Sequence, residues 1–302
     1  MKKFFIHGII FISINIFIAT FYIWFTNNQY TYSNSQTGSA LFIIPKNTKV
    51  DILIMGSSHA GIFADAGNHE RVEKILNKKV VNVSKAAAGI VPEKLFLEYF
   101  FRHGNSTKEI LYIIEPAIFY SSVWNESNFF LENEPLYADF FWLSLREGID
   151  NDVLVNYLKS KFSLFWATWR KPLKNNIETY SLDAVSNEAI QKRLNFLYPD
   201  GQNEIVFDKY KVKLAEVIDI AKANNAKLTF IYPPTLLGDA PGSERLTQEI
   251  SYYEARLFDF TNEIIDPSLY SDHDHLNTAG VVRFTTDYLV TIFSSNSSTI
   301  SF

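Results

Sequence analysis

Residues 4 to 25 form an almost unbroken apolar run, with only His7, Ser13, Asn15 and Thr20 as polar or semi-polar interruptions. At about 1.5 Å per residue this is long enough to cross a bilayer as a helix. Lys2 and Lys3 precede the run and no cation follows until Lys46, so the positive-inside rule predicts a cytoplasmic N-terminus and a periplasmic or extracellular remainder. A cleaved signal peptide is the alternative. Against it, the run exceeds the usual apolar core of about 7 to 15 residues, and no small-x-small site stands near Ala19. The pattern therefore predicts a membrane signal-anchor over 1–25, a polar linker over 26–40 rich in Asn, Ser, Thr, Gln and Gly, and a folded domain over 41–302.

Beyond Leu41 the texture changes to short apolar runs separated by helical periodicity. Val50 to Met55, stopped by Gly56, reads as a strand buried on both faces. A helix over about 60–77, a strand over 79–83, a helix over 92–103 with Pro92 in its first turn, and a strand over 109–114 follow. The alternation resumes with a helix over about 207–225, a strand over 227–232 stopped by Pro233 and Pro234, a helix over 244–261, a short strand over 263–265 and a last helix over 278–293. Strands alternating with helices of this length predict an α/β fold, a parallel sheet covered on both faces that binds ligands beyond the C-terminal strand ends. Between the halves, about 117–202 is aromatic-dense, lacks strand punctuation and is helical in segments such as 152–169. It reads either as a helical insertion over that sheet edge or as a unit whose aromatics build their own core.

Composition narrows the function classes. The 302 residues are 47% hydrophobic and 20% charged, ample material for a large core. A net charge of −5 argues against nucleic acid as a partner, which needs a dense basic face. The absence of cysteine excludes thiolate metal sites, disulfides and a Cys nucleophile.

The residues able to do chemistry sit at two strand ends. Gly56-Ser57-Ser58-His59 follows the first strand, and Asp272-His273-Asp274-His275-Leu276-Asn277 lies in the last strand–helix connection. Both belong to the edge where α/β sites form. A serine becomes a nucleophile beside a base, and the base needs an acid to hold its tautomer, roles that Ser58, His275 and Asp272 can fill. The bland reading of Ser58 is a turn serine capping the next helix. Ser57 is the alternative register, and His59 is too close to Ser58 in sequence to serve as base, so it reads as a supporting or substrate-facing residue. His273 and Asp274 read as exposed loop residues, and Lys85 and Arg102 as surface charges. The His/Asp cluster also suits a divalent ion and a metal-dependent phosphoesterase, but adjacent loop residues diverge and no second ligand cluster is evident, so no metal is expected. Trp124, Trp142, Trp166 and Trp169 read as core more readily than as sugar platforms.

These two blocks resemble those of the SGNH (GDSL-like) hydrolase superfamily. Gly56-Ser57-Ser58 matches the first with Ser57 in place of Asp, and Asp272-x-x-His275 with Leu276, Asn277 and Gly280 matches the last. The likeness covers about 49–116 and 207–293 and is nearest to membrane-anchored envelope members related to alginate-type O-acetylation proteins. It implies a flavodoxin-like doubly wound parallel sheet, Ser58 as nucleophile, His275 as base, Asp272 as its acid and no cofactor. Gly89, in the segment from Asn82, stands for the second block's oxyanion glycine. The third block's Asn is missing, because the third strand runs into Glu115-Pro116; Asn125 from the insertion is a substitute donor. The resemblance implies an esterase or O-acyltransferase, O-acetyl first among acyl groups, acting on an acylated glycan or acyl donor beside a membrane-bound O-acyltransferase partner. A catalytically inactive glycan-binding or scaffolding module stays open beside it.

Overall fold

A computed structural model describes residues 2–27, 40–126, 128–131, 134–170 and 181–294. Most of the expected linker, and the residues 171–180 of the expected insertion, lie outside them. The chain runs α1 (Lys2–Asn27), α2 (Ala40–Ile43), β1 (Lys49–Gly56), α3 (Ser58–Gly61), α4 (Asn68–Leu76), β2 (Val80–Asn82), α5 (Ile90–Arg102) and β3 (Ser106–Ile113). The insertion contributes α6 (Ser122–Glu126), α7 (Ala138–Arg146), α8 (Asn151–Arg170) and α9 (Asn187–Leu197). Then come α10 (Glu204–Ala223), β4 (Lys227–Tyr232), α11 (Ser243–Tyr252), β5 (Arg256–Asp259), α12 (Thr278–Phe284) and α13 (Val290–Ser294).

The five strands are all parallel in the order β2-β1-β3-β4-β5, the flavodoxin-like winding whose direction reverses between β1 and β3. Successive residues of β1 feed opposite layers. Leu53 and Met55 join α5, α10 and α11 through Leu95, Tyr99, Leu214, Val217 and Ile250, while Ile52 and Ile54 join α4, α12 and α13 through Val72, Val281, Phe284 and Ile292. Burial on both faces is why β1 reads as a continuous apolar run rather than an alternating one. The insertion is continuous with the first of these layers: Phe140 of α7 packs edge-on to Phe42 (4.7 Å) and Tyr99 (4.9 Å). Its aromatics thus extend the sheet's own core, and α9 reaches the strand ends.

Three expected elements differ. The fifth strand is Arg256–Asp259, not 263–265. As an edge strand it is paired on one side and only half-buried, so its sequence carries no long apolar run, whereas Ile265 is 75% exposed. The preceding helix stops at Tyr252, where Glu254 adopts a left-handed φ of 55° that breaks the repeat. The expected helix over 60–77 is divided into α3 and α4 by a 3₁₀ turn in which Ala66 has φ 51°. α1 is long and apolar enough to cross a membrane, and among its described residues none of the Lys3–Phe25 span is buried in the protein.

Gly56 closes β1 with φ 139°, and a Cβ there would lie 2.3 Å from the Ile113 carbonyl oxygen of β3. Gly56→Ala combines a glycine-only backbone with a clash against backbone, at a cost of about 2–4 kcal/mol. Gly148→Ala has open space and bears the conformational term alone, about 1–2 kcal/mol. Urea unfolding of the full chain in detergent is expected to rank the two in that order.

Candidate functional site

The chain leaves β1 by turning at Gly56 directly into α3, so Ser57 and Ser58 stand at the point where β1 and β3 part. Ser57 makes no side-chain cap to α3; its hydroxyl donates to the Glu115 carboxylate at the end of β3. The Ser58 hydroxyl does not cap either. Ser58 Oγ lies 2.8 Å from His275 Nε2, across 217 positions of sequence.

The loop that delivers His275 is stapled at its base. Tyr270 and Leu276 pair antiparallel, and Ser271 N–H donates to the His275 carbonyl at 2.9 Å. Asp272 Oδ1 accepts the N–H groups of Asp274 (3.0 Å) and His275 (2.7 Å), folding the loop around its own carboxylate. That carboxylate also faces His275 Nδ1, at 3.0 Å from Oδ1 and 2.9 Å from Oδ2. Asn277 caps α12 by accepting Gly280 N–H at 3.0 Å and ties back to the Ser268 carbonyl at 2.8 Å. A side chain at Gly280 would sit 2.2 Å from the Leu269 carbonyl oxygen. The residues flanking His275 therefore serve to hold its backbone in place.

Beneath this line lies a buried polar group that sequence reading missed. Asp274 is not an exposed loop residue: it is 1% exposed, with Oδ1 3.3 Å from His275 Nδ1, Oδ2 3.7 Å from His59 Nε2, and Oδ2 accepting from Arg193 Nε of α9 at 2.7 Å. His59 is buried too, its ring stacked on His275 at 4.4 Å and 19°, with Nδ1 2.6 Å from Glu115 Oε1. It supports the site from below and does not face the Ser58 pocket. His273 is half-buried and accepts Ser186 N–H at the start of α9. The signal available in the sequence for Asp274 was its place in a short segment between two buried residues, Tyr270 and Leu276.

Charge follows geometry. Burial alone would lower the His275 pKa, but the adjacent carboxylates of Asp272 and Asp274 outweigh it and raise it to about 10. Burial would raise Asp274, yet the His275 hydrogen bond and the charges of His59, His275 and Arg193 hold it well below the usual carboxylate range. Glu115 is likewise lowered against its own burial by His59 and Ser57. The donor atoms of His59, Asp274 and His275 all lie within 4.8 Å of one another, a spacing a divalent ion accepts. Here Asp274 is engaged by Arg193 and His275 Nδ1 by Asp272, so protein partners already occupy two of the three groups.

A pocket of about 270 Å³ opens over Ser58 and His275. Ala86, Ala87, Ile118, Trp124, Phe196 and Leu197 give it largely apolar walls, with Arg193 and Glu115 as its charged members. Trp124 is half-buried, meets Phe196 edge-on at 5.1 Å and donates its indole N–H to the Leu197 carbonyl, so it is a pocket wall rather than core. Trp142 is not core: it is 68% exposed. The side chains at 166 and 169 lie outside the described residues. Arg102 stays on the surface, paired with Glu98. Lys85 does not; it is bound at 2.5 Å to Glu134, which is buried.

The expected oxyanion residues are placed otherwise. Gly89 N–H donates to the Trp124 carbonyl at 2.8 Å, and a Cβ at Gly89 would strike Asn125 Oδ1 at 2.6 Å, so its glycine serves close packing of α6. Asn125 donates its amide to the Ile118 and Ser121 carbonyls and accepts Val91 N–H. Asn82 donates to Ala60 and accepts from Ser84, buried behind the pocket. In the loop from Lys85, the amides of Lys85 and Ala88 bond the carbonyls of Gly56 and Lys85. That leaves Ala86 and Ala87, which border the pocket, with Ala87 in a left-handed conformation at φ 59°. An alanine where the backbone favours glycine concealed this turn from sequence reading.

No family model matches the chain, and no curated protein matches it. Among solved structures, a Bacteroides fragilis protein provisionally described as an acylhydrolase superposes with a TM-score of 0.43 at 10% identity, covering 86% of this chain and 95% of that one.

Proposed function

We propose that the chain is a membrane-anchored serine esterase or O-acyltransferase of SGNH type, acting outside the cytoplasm on acyl esters of an envelope or exported polysaccharide, acetyl esters first. The observation that carries this reading is the continuous line from Ser58 Oγ to His275 Nε2 (2.8 Å) and from His275 Nδ1 to Asp272 (2.9 Å). In the neutral base form, His275 takes the Ser58 proton as Oγ attacks the acyl carbonyl. Asp272 keeps the remaining N–H on Nδ1 and stabilises the imidazolium. The oxyanion falls to the N–H of Ser58 and to one N–H of the Ala86–Ala87 turn. Collapse returns the proton to the departing alkoxide and leaves an ester on Ser58. His275 then deprotonates the acceptor, water for an esterase or a sugar hydroxyl for a transferase, and the ester is released onto it. A membrane-bound acyltransferase would supply the acyl donor in the second case. The polysaccharide assignment is by analogy with the resembled family and with the tethered topology.

A non-catalytic glycan-binding module is favoured by one feature, the Glu115 carboxylate where the resembled family carries an amide donor. Full-length protein in detergent, treated with a fluorophosphonate and read by intact mass, separates the two. Label on wild type and none on Ser58→Ala supports the enzyme; an unlabelled, folded wild type that retains glycan selects the module. With p-nitrophenyl acetate, Ser58→Ala and His275→Ala are each expected to lower kcat/KM by about 10³-fold or more at unchanged melting temperature.

The pH dependence has a definite sign. The base form of His275 grows as pH rises through its pKa of about 10, so kcat/KM is expected to climb from neutral pH into the alkaline range. Asp274→Asn removes a carboxylate that raises this pKa, and the climb is expected to move to lower pH. An unmoved profile would remove Asp274 from the site's electrostatics.

A further inference from the structure

α7 and α8 present large apolar side chains that the core does not use. In α8, Val153, Leu154, Tyr157 and Ser160 are buried, while the opposite side carries Val155 and Leu158, 43% and 40% exposed. In α7, Phe140, Leu143 and Ser144 are buried, and the outward side carries Trp142 and Leu145, 68% and 37% exposed, beside Asp139 and Arg146, whose charges are paired with His103 and with Glu98 and Glu147. The outward stripe of a helix bathed in water is normally polar. Large apolar residues together on two packed helices mark a contact surface.

What covers that face is indicated by α1. The Asn27 amide donates to the Leu136 carbonyl at 2.8 Å, and Leu136 N–H donates back to Asn27 Oδ1 at 2.9 Å. Leu136 lies two residues ahead of α7, and α1 packs against α8. The start of α7 is therefore tied to the end of the apolar span, whose Tyr22 and Trp24 stand in sequence where interfacial aromatics do. The sequence of the second half of α8, Lys159 to Arg170, has three cations, four aromatic residues and no acid, within a chain of net charge −5. That is the composition of helices that lie along anionic headgroups.

We propose that the outward face of α7 and α8 rests on the leaflet from which α1 emerges, with Trp142, Leu145, Val155 and Leu158 entering the interface and Lys159 at the level of anionic headgroups. The domain is thereby held against the membrane instead of swinging on a tether. This rests on α1 being a membrane span.

The chain has no cysteine, so single nitroxide labels carry no background. Full-length Trp142→Cys, Leu158→Cys, Phe11→Cys, Ile205→Cys and Tyr252→Cys would be labelled and placed in nanodiscs of mixed phosphatidylglycerol and phosphatidylcholine. Ile205 and Tyr252, 82% and 78% exposed on α10 and α11, are the aqueous references. Power saturation is expected to show oxygen favoured over a nickel chelate several-fold more at 142 and 158 than at the references, with 11 deeper still. Replacing phosphatidylglycerol by phosphatidylcholine is expected to reduce the contrast at 158. The proposal is overturned if 142 and 158 read as aqueous as the references while 11 reads as buried in lipid, or if both are shielded from both reagents, which would mean a protein partner. An aqueous label at 11 overturns the anchor reading itself, a separate and distinguishable result.

Discussion

Space at the end of β1 governs the site. Gly56 pairs with Ile113 of β3 so closely that no side chain fits between them, and the chain turns there into α3 within one residue. Because β1 and β3 stay in register up to this pair, Glu115 lies only two residues beyond it, within reach of the Ser57 hydroxyl. Ser58, one residue on, is aimed at the opposite wall, where the loop before α12 delivers His275. The sheet register thus distributes two adjacent serines to two different histidine–carboxylate pairs, and a looser exit from β1 would lose both alignments.

Electrostatics then decide what the His275 imidazole can do. Two imidazolium charges about 4 Å apart would repel by about 4 kcal/mol at an effective dielectric near 20. His59 and His275 are stacked at 4.4 Å, and Asp274 approaches both rings from one side. The Asp274 carboxylate favours retention of positive charge on His275, where Asp272 adds a second negative neighbour. The consequence is a base stabilised in its acid form, strong once deprotonated and scarce at neutral pH.

Much of this was legible in the chain because it depends on local rules. Strands buried on both faces read as apolar runs, and Asp272, His275, Asn277 and Gly280 form a short-range unit in which each residue has a backbone reason for its position. Ser58 and His275 could be brought to one edge by topology alone, since parallel strands deliver their C-terminal ends to the same side. What escaped reading depends on tertiary context. The edge strand Arg256–Asp259 lacks the apolar run that two-sided burial imposes, and the Asp274 carboxylate has partners on α3, its own loop and α9. The glycine at 89 looked functional because glycine suits an oxyanion turn, yet its lack of a side chain is explained by Asn125 and Trp124 pressing on it. Ala87, which holds the left-handed turn, carries no compositional mark of doing so.

Arg193 ties the insertion to the polar cluster around His275, a link its sequence did not announce. Removing a buried carboxylate's partner leaves an uncompensated charge, one of the costlier defects a fold can carry. With α9 in place, Asp274 divides its interactions among Arg193, His59 and His275; with α9 displaced, the full negative charge would fall on the two rings and hold the His275 proton more tightly. The same helix contributes Phe196 and Leu197 to the pocket wall. By linkage, whatever seats α9 against Asp274 also weakens the hold of that carboxylate on the His275 proton.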